Sequence, residues 1–246
     1  MRQGTALALV GGIVFLGVAI ATLPASLVVG RLPSALHAEG VSGSVWNGAA
    51  DSISLHGVPL GAFSWTTEPL ALLAGELALQ VDITRPDGYV RGHVAATLTG
   101  ALVADHVELA LPLAALSATP SSAGWRGDFK GNIESARLEQ GWPVALVGTF
   151  TTSALRVPGS DLPIGSYAIE FDGKANTPSQ LVGRVRDVEA PLLVRAQMFI
   201  RHDRSYSLEG EVTPRPGAGQ DVTQAVAFLG APDSSGRRAF TVTGTF

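Results

Sequence analysis

No cysteine occurs among the 246 residues, which excludes disulfides, thiolate metal sites and a cysteine nucleophile. Charge is scarce as well: Asp, Glu, Lys and Arg together make up 15%, against about a quarter in an average soluble domain. Lysine is confined to Lys130 and Lys174, the arginines are dispersed, and the net charge is −4. A nucleic-acid partner would demand a basic patch that this chain does not have. The phosphate-cradling Gly-x4-Gly-Lys-Ser/Thr, the dinucleotide Gly-x-Gly-x-x-Gly and the nucleophile elbow Gly-x-Ser-x-Gly are all missing. Gly217-Ala218-Gly219 comes nearest, but it lacks the third glycine and reads as the lead-in to a helix. His37, His56, His93, His106 and His202 show no His-x3-His or Glu-x2-His spacing, a poor start for zinc. No catalytic, cofactor-binding or metal-binding residue is assigned on these grounds, no cofactor is expected, and enzymatic activity is not expected.

One long apolar run is present. Residues 4–29 contain no Asp, Glu, Lys, Arg or His. As an α-helix rising ~1.5 Å per residue, segment 5–23 would span about 30 Å, the thickness of a bilayer's hydrocarbon core. Pro24 cannot continue the helical ladder and disfavours helix at Leu23, so the helix is expected to end there. The run admits two fates: a retained anchor, or a secretory signal cut after Ala21 in Ala19-Ile20-Ala21. It exceeds the ~7–15 apolar residues of a signal's core, which favours the anchor. The expected organisation is a short cytoplasmic tail at 1–4, a transmembrane signal anchor at 5–23 and a juxtamembrane linker at 24–40. An extracytoplasmic β-domain at 41–246 follows, with a sub-boundary near 112–124 where Pro112 and a Ser/Thr/Pro/Gly-rich stretch interrupt the pattern.

Beyond the run, apolar residues recur at every second position, the period of a half-buried strand. Leu77, Leu79, Val81 and Ile83 alternate with Ala78, Gln80, Asp82 and Thr84, and Tyr167, Ile169 and Phe171 alternate with Ala168, Glu170 and Asp172. Further strands are expected at 52–56, 62–66, 89–98, 101–109, 125–130, 133–139, 144–152, 181–188, 192–202, 206–212 and 240–246. Gly57-Val58-Pro59-Leu60-Gly61 and Pro86-Asp87-Gly88 read as turns. Glu68-Pro69-Leu70-Ala71-Leu72-Leu73-Ala74-Gly75 reads as a single helical corner, with Pro at its start and Gly at its close. Residues 221–229 form the best helix outside the apolar run, with Val222, Val226 and Leu229 on one side and Gly230 as its stop. The fold class is mostly β: an antiparallel curved sheet, sandwich or open half-barrel of about a dozen strands with one or two short helices.

The polar candidates have bland explanations. Asp105-His106 and His202-Asp203 are neighbours in sequence, so on a strand their side chains point to opposite faces. Arg184, Arg186, Arg195 and Arg201, with Gln197, could line one sheet face, as a solvated surface or as a strip for anions or lipid headgroups. Trp46, Trp65, Trp125 and Trp142 suit core or corner positions; Trp46 and Trp65 would suit a membrane interface if the first hairpin lies on a bilayer.

Two stretches carry a family resemblance. Gly43-Ser44-Val45-Trp46-Asn47-Gly48 is the first. The second is Leu60-Gly61-Ala62-Phe63-Ser64-Trp65-Thr66-Thr67-Glu68-Pro69-Leu70-Ala71-Leu72-Leu73-Ala74-Gly75. With Leu23-Pro24, Leu32-Pro33 and the ending from Gly236 to Phe246, they resemble the N protein family of the bacterial type II secretion system. Gly43, Trp46, Gly48, Trp65, Pro69, Leu72 and Gly75 carry the motif. The tryptophan–glycine and tryptophan–proline–leucine corners also resemble a broader class of AsmA-like envelope β-groove proteins. The resemblance implies a single-pass protein of the bacterial inner membrane, its N-terminus cytoplasmic and its bulk periplasmic. It implies an accessory, non-enzymatic role in the secretion machine beside inner-membrane platform proteins and the secretin. The alternative it leaves open is a lipid-handling β-groove module.

Overall fold

The computed structural model describes residues 22–26, 36–55, 58–116, 124–159 and 162–245. The expected span over 5–23 lies outside them except for Thr22 and Leu23, as does most of the sub-boundary expected near 112–124. Among the described residues, no helix is long and apolar enough to cross a membrane. The chain divides into two compact units, Met1–Arg85 and Pro86–Phe246.

The first unit contains β1 (Leu36–Glu39), β2 (Ser42–Gly43), β3 (Asn47–Leu55), β4 (Val58–Thr67) and β5 (Glu76–Arg85), with a 3-10 helix at Pro69–Ala74. The strands lie antiparallel in the order β1-β3-β4-β5, and β2 also pairs with β3. β1 falls within the stretch expected to be linker. The stretch Gly57 to Gly61 was expected to be a turn, yet β4 starts at Val58 and runs through Pro59. Pro59 pairs with Ser54 of β3 next to a register shift and precedes the point where β5 begins to pair with β4 at Ala62, the unpaired-edge and bulge setting in which a strand tolerates proline.

The second unit is a meander of β6 (Gly88–Thr97), β7 (Leu102–Pro112), β8 (Arg126–Glu139), β9 (Trp142–Arg156), β10 (Pro163–Asp172), β11 (Gln180–Glu189), β12 (Leu192–Arg201), β13 (Ser205–Pro214) and β14 (Arg238–Thr245). A short 3-10 helix, Leu113–Leu116, follows β7, and one α-helix, α1 (Gln220–Ala227), precedes β14. Each strand pairs antiparallel with the next, and among the described residues β14 has no partner besides β13, so the sheet is open and is not a sandwich. The strands expected at 125–130 and 133–139 are one strand, β8. Gly131 between them makes no turn. It clears space, since a Cβ there would stand 2.9 Å from the Phe150 ring and 3.0 Å from Leu109.

Alternation in the sequence becomes two opposed rows in the sheet. Val90, Leu109, Gly131, Phe150, Ile169, Val185, Ala196, Gly210 and Phe240 are cross-strand partners in succession from β6 to β14. The next row, Arg91, Glu108, Asn132, Thr149, Glu170, Arg184, Gln197, Glu209 and Thr241, is polar throughout. One-residue steps invert the face, so the register is pinned by burying the first row. Phe129 stacks on Phe150 with centroids 5.8 Å apart, and Phe171 meets Phe150 edge-on at 5.9 Å. The sheet curls strongly: Cα atoms of β9 and β11 come within 8 Å, whereas flat strands two apart lie about 9.6 Å from each other.

Helix α1 seals one part of the apolar face. Its Val226 joins Val185, Val194, Ala196 and Val212 in the core, with Tyr167, Ile169, Leu208 and Phe240 packed around them. Leu229 was expected to share the helix's inner side, but it lies past the helix end and is 45% exposed. Val90, Leu109 and Phe150, farther along the row, are only half-buried.

Candidate functional site

The motif residues of the first unit converge on the turn between β2 and β3. Gly43 takes φ +88°, a left-handed conformation that a side chain would strain, and it pairs with Gly48 across the turn. The Ser44 N–H donates to the Asn47 carbonyl at 2.8 Å, closing the turn. The Ser44 Oγ accepts from the N–H groups of Trp46 (3.3 Å) and Asn47 (3.2 Å), satisfying donors that a tight turn would otherwise leave unpaired. Trp65, on β4, lies over Gly48, buried to 5% exposure and stacked on Phe63 at 5.4 Å.

Val45 is the node. Its carbonyl accepts from the Trp65 Nε1–H at 3.1 Å and from the Thr67 hydroxyl at 2.7 Å. Its N–H donates to the Leu23 carbonyl at 2.9 Å, and the Ala25 N–H donates to the Gly43 carbonyl at 3.2 Å. Pro24 thereby bridges antiparallel to Ser44, and Ala25 is buried to 2% exposure. The segment that leaves the apolar run is thus clasped to the β-domain by backbone bonds. Thr67 closes the arrangement with its own N–H on the Trp46 carbonyl at 2.7 Å.

Pro69, Leu72 and Gly75 shape the corner that follows. Pro69 opens the 3-10 helix, and Gly75 ends it at φ +77°, with its N–H on the Leu72 carbonyl at 3.1 Å. None of the residues of Pro69–Ala74 is buried. Leu70 is 80% and Leu73 88% exposed, so the corner displays leucines outward instead of packing them.

The structure therefore joins Gly43, Trp46, Gly48 and Trp65 in one clasp and places Pro69, Leu72 and Gly75 in the adjoining corner. Sequence reasoning missed the Val45 carbonyl, Thr67 and Ala25. A backbone carbonyl leaves no mark in a sequence, and Thr67 stands in a Thr-Thr pair whose strand pattern looks ordinary.

Among the described residues, the remaining polar candidates do not assemble into a reactive site. Arg184 pairs with Asp172 at 3.0 Å and Glu170 at 3.4 Å, Arg201 donates to the Ser207 hydroxyl at 3.1 Å, and Arg195 stands opposite Glu211. Within the arginine strip, Arg184 and Arg195 thus stand beside carboxylates and Arg201 beside a hydroxyl, whereas Arg186 stands opposite Arg195. A pocket of about 410 Å³ beside it is lined by Asp187, Leu193, Arg195, Glu211, Thr213, Ser235 and Arg237, and Arg237 is tied to Glu211 and Asp233. The Lys174 N–H, against some burial and with help from Arg184, holds Asp172 below the usual carboxylate range. Asp233 is lowered to about 2 by the Ser235 hydroxyl and the Arg237 N–H. Burial opposes ionisation of Asp187, but the Val194 N–H and Arg215 outweigh it and lower its pKa. Burial, and then the charge of Asp187, push Tyr167 up to about 12, and its hydroxyl donates to the Ile164 carbonyl at 2.7 Å. His202 rests edge-on against Trp142 at 5.2 Å. Among the described residues no three His, Cys, Asp or Glu side chains are grouped to hold a metal.

Comparison with known proteins places this architecture. The family model for type II secretion system (T2SS) protein N matches residues 34–241. A type II secretion system protein N of Aeromonas hydrophila is 24% identical over 254 residues, covering 96% of each chain. That of Vibrio cholerae serotype O1 is 23% identical over 250 residues, covering 98% of each. No solved structure matches. On the family match, which takes in the clasp turn, the corner and nearly all of the meander, the chain belongs to the type II secretion system protein N family.

Proposed function

We propose that the chain is an accessory inner-membrane component of the type II secretion machinery. It is a structural and interaction protein that supports export of folded periplasmic proteins across the outer membrane. The observation that carries this reading is the family match over 34–241. Residues 1–4 lie in the cytoplasm, 5–23 cross the membrane as a retained anchor, and the β-units stand in the periplasm. The clasp supports a mechanical role, because it couples the exit of the anchor to the sheet through backbone hydrogen bonds rather than a slack linker.

Its work is binding, not chemistry. Two routes to partners among the inner-membrane platform proteins and the secretin follow from the chain. Gly11, Gly12 and Gly17 give the anchor small-residue faces for packing a second span. The outer edge of β14, which has no strand partner among the described residues, can accept a strand. Deleting the gene tests the reading: export of a folded exoprotein stops and returns with the full-length chain. Normal export after deletion overturns it.

A second reading, an AsmA-like lipid-handling module, is favoured by the half-buried part of the apolar row, Val90, Leu109 and Phe150. An uncovered apolar face of a curled sheet can shield acyl chains. Native mass spectrometry of the detergent-solubilised chain separates the two: bound phospholipid supports it, and lipid-free protein refutes it.

A further inference from the structure

The corner after β4 is an apolar tip with no polar side chain. Pro69-Leu70-Ala71-Leu72-Leu73-Ala74 projects between Glu68 and Glu76, with Leu70 80%, Leu73 88%, Leu72 44% and, on β5, Leu77 41% exposed. So many leucines on one short turn cost solvation free energy unless something covers them. Its location indicates what does. Thr67, whose hydroxyl and N–H bind the Val45 and Trp46 carbonyls, is held at the same clasp that bonds Leu23 and Ala25. Leu70 is three residues farther along, at most about 11 Å of chain. The expected span ends at Leu23. The interfacial layer beyond the hydrocarbon is about 5–8 Å deep on each side, so the tip starts within reach of it.

We infer that the Leu70–Leu73 tip inserts into the periplasmic leaflet of the membrane that holds the anchor, a second, shallow contact that pins the first unit against the lipid surface. The occupant is phospholipid. A projecting turn offers no groove for a peptide, and it carries no hydrogen-bonding side chain that could select one. Half-buried Trp46, at the clasp turn, suits the headgroup level. Glu68 and Glu76 flank the tip, so attraction to anionic headgroups contributes nothing and insertion rests on apolar burial alone.

The inference rests on the anchor reading of residues 5–23, and the test separates the two. The chain has no cysteine, so single cysteines introduced by Leu73→Cys, or by Thr84→Cys at the other end of β5, can carry an environment-sensitive fluorophore. The full-length chain is reconstituted in phosphatidylcholine vesicles, its β-content is checked by circular dichroism, and its integral state by alkaline carbonate extraction. The expected result at position 73 is several-fold weaker quenching by iodide than at 84, blue-shifted emission, and quenching by nitroxide-labelled lipid. Adding phosphatidylglycerol does not strengthen these signals, because Glu68 and Glu76 are repelled by anionic headgroups. A chain that resists carbonate but shows equal iodide quenching at 73 and 84 overturns the tip while leaving the anchor standing. Protection from iodide without nitroxide quenching means that protein covers the tip, which also overturns it. A chain released by carbonate overturns the anchor and the tip with it.

Discussion

The indole of Trp65 occupies the space that a side chain at position 48 would need. A Cβ on Gly48 would press into the ring, 2.6 Å from Cε2, and the ring cannot yield without breaking its bond to Val45 and its stack on Phe63. Gly48→Ala is therefore expected to cost about 1–3 kcal/mol, the range of overpacked buried sites. Thermal unfolding followed by tryptophan fluorescence checks it, and an unchanged Tm would show that the ring has room to move. Gly100→Ala is the useful contrast for sterics: a Cβ there meets nothing within 4 Å, so its cost comes from φ +81° alone.

The shared acceptor makes a second expectation. The Val45 carbonyl receives both the Trp65 Nε1–H and the Thr67 hydroxyl, so either donor can be lost while the other still satisfies it. Thr67→Val alone should cost about 1 kcal/mol for the hydrogen bond. Trp65→Phe costs more, because ring area is lost as well. The double variant strips the carbonyl of both side-chain donors, and the two effects should exceed additivity by about 1 kcal/mol. A double-mutant cycle in urea reads this directly, with strict additivity as the contrary result.

What the sequence disclosed and what it hid divide along physical lines. Strands with strict alternation, such as that of Tyr167, Ile169 and Phe171, were legible because one face is apolar and the period is two. The corner at Pro69–Ala74 was legible because Pro and Gly have few other uses in that order. Splitting β8 into 125–130 and 133–139 failed because Gly131, between them, does not turn the chain but makes room for the Phe150 ring. Pro59 failed likewise: whether a strand tolerates proline depends on where its neighbour starts to pair. Of the residues read as motif, Gly43, Trp46, Gly48 and Trp65 meet at the clasp, but the Val45 carbonyl and the backbone of Leu23 and Ala25 that hold it are groups to which side-chain patterns are blind.

Tyr167 and Asp187 give the pH response a defined sign. Tyr167 is raised from 10.0 to about 12 in the folded chain, so the folded state keeps its proton longer than the unfolded state. Its contribution to stability is complete below pH 10 and lost as pH rises from there through about 12. Asp187 is lowered, so its contribution is complete above the unfolded carboxylate range and lost as pH falls through its folded value. Unfolding midpoints should decline in both alkali and acid. Tyr167→Phe should flatten the alkaline limb alone, and Asp187→Asn the acid limb. An alkaline limb unchanged by Tyr167→Phe would contradict the assignment.

The last strand supplies the expectation most closely tied to partners. β14, Arg238-Ala239-Phe240-Thr241-Val242-Thr243-Gly244-Thr245, carries one charge, at its first residue. Edge strands are ordinarily protected from pairing by charge, proline or a bulge. β14 pairs with β13 in unbroken register and contains no proline, so beyond Arg238 it is open to an incoming strand. Val242 is 48% exposed, and replacing it should leave folding nearly intact, within about 1 kcal/mol for a surface site. Val242→Lys places a charge where an added strand would lie. If β14 accepts a strand from another secretion subunit, this variant should fold with an unchanged Tm, lose photo-crosslinks formed from position 241, and export exoprotein several-fold more slowly. Full export and undiminished crosslinking would assign partner binding to another surface, leaving β14 as a bare edge that survives because the membrane-tethered chain seldom meets a second one.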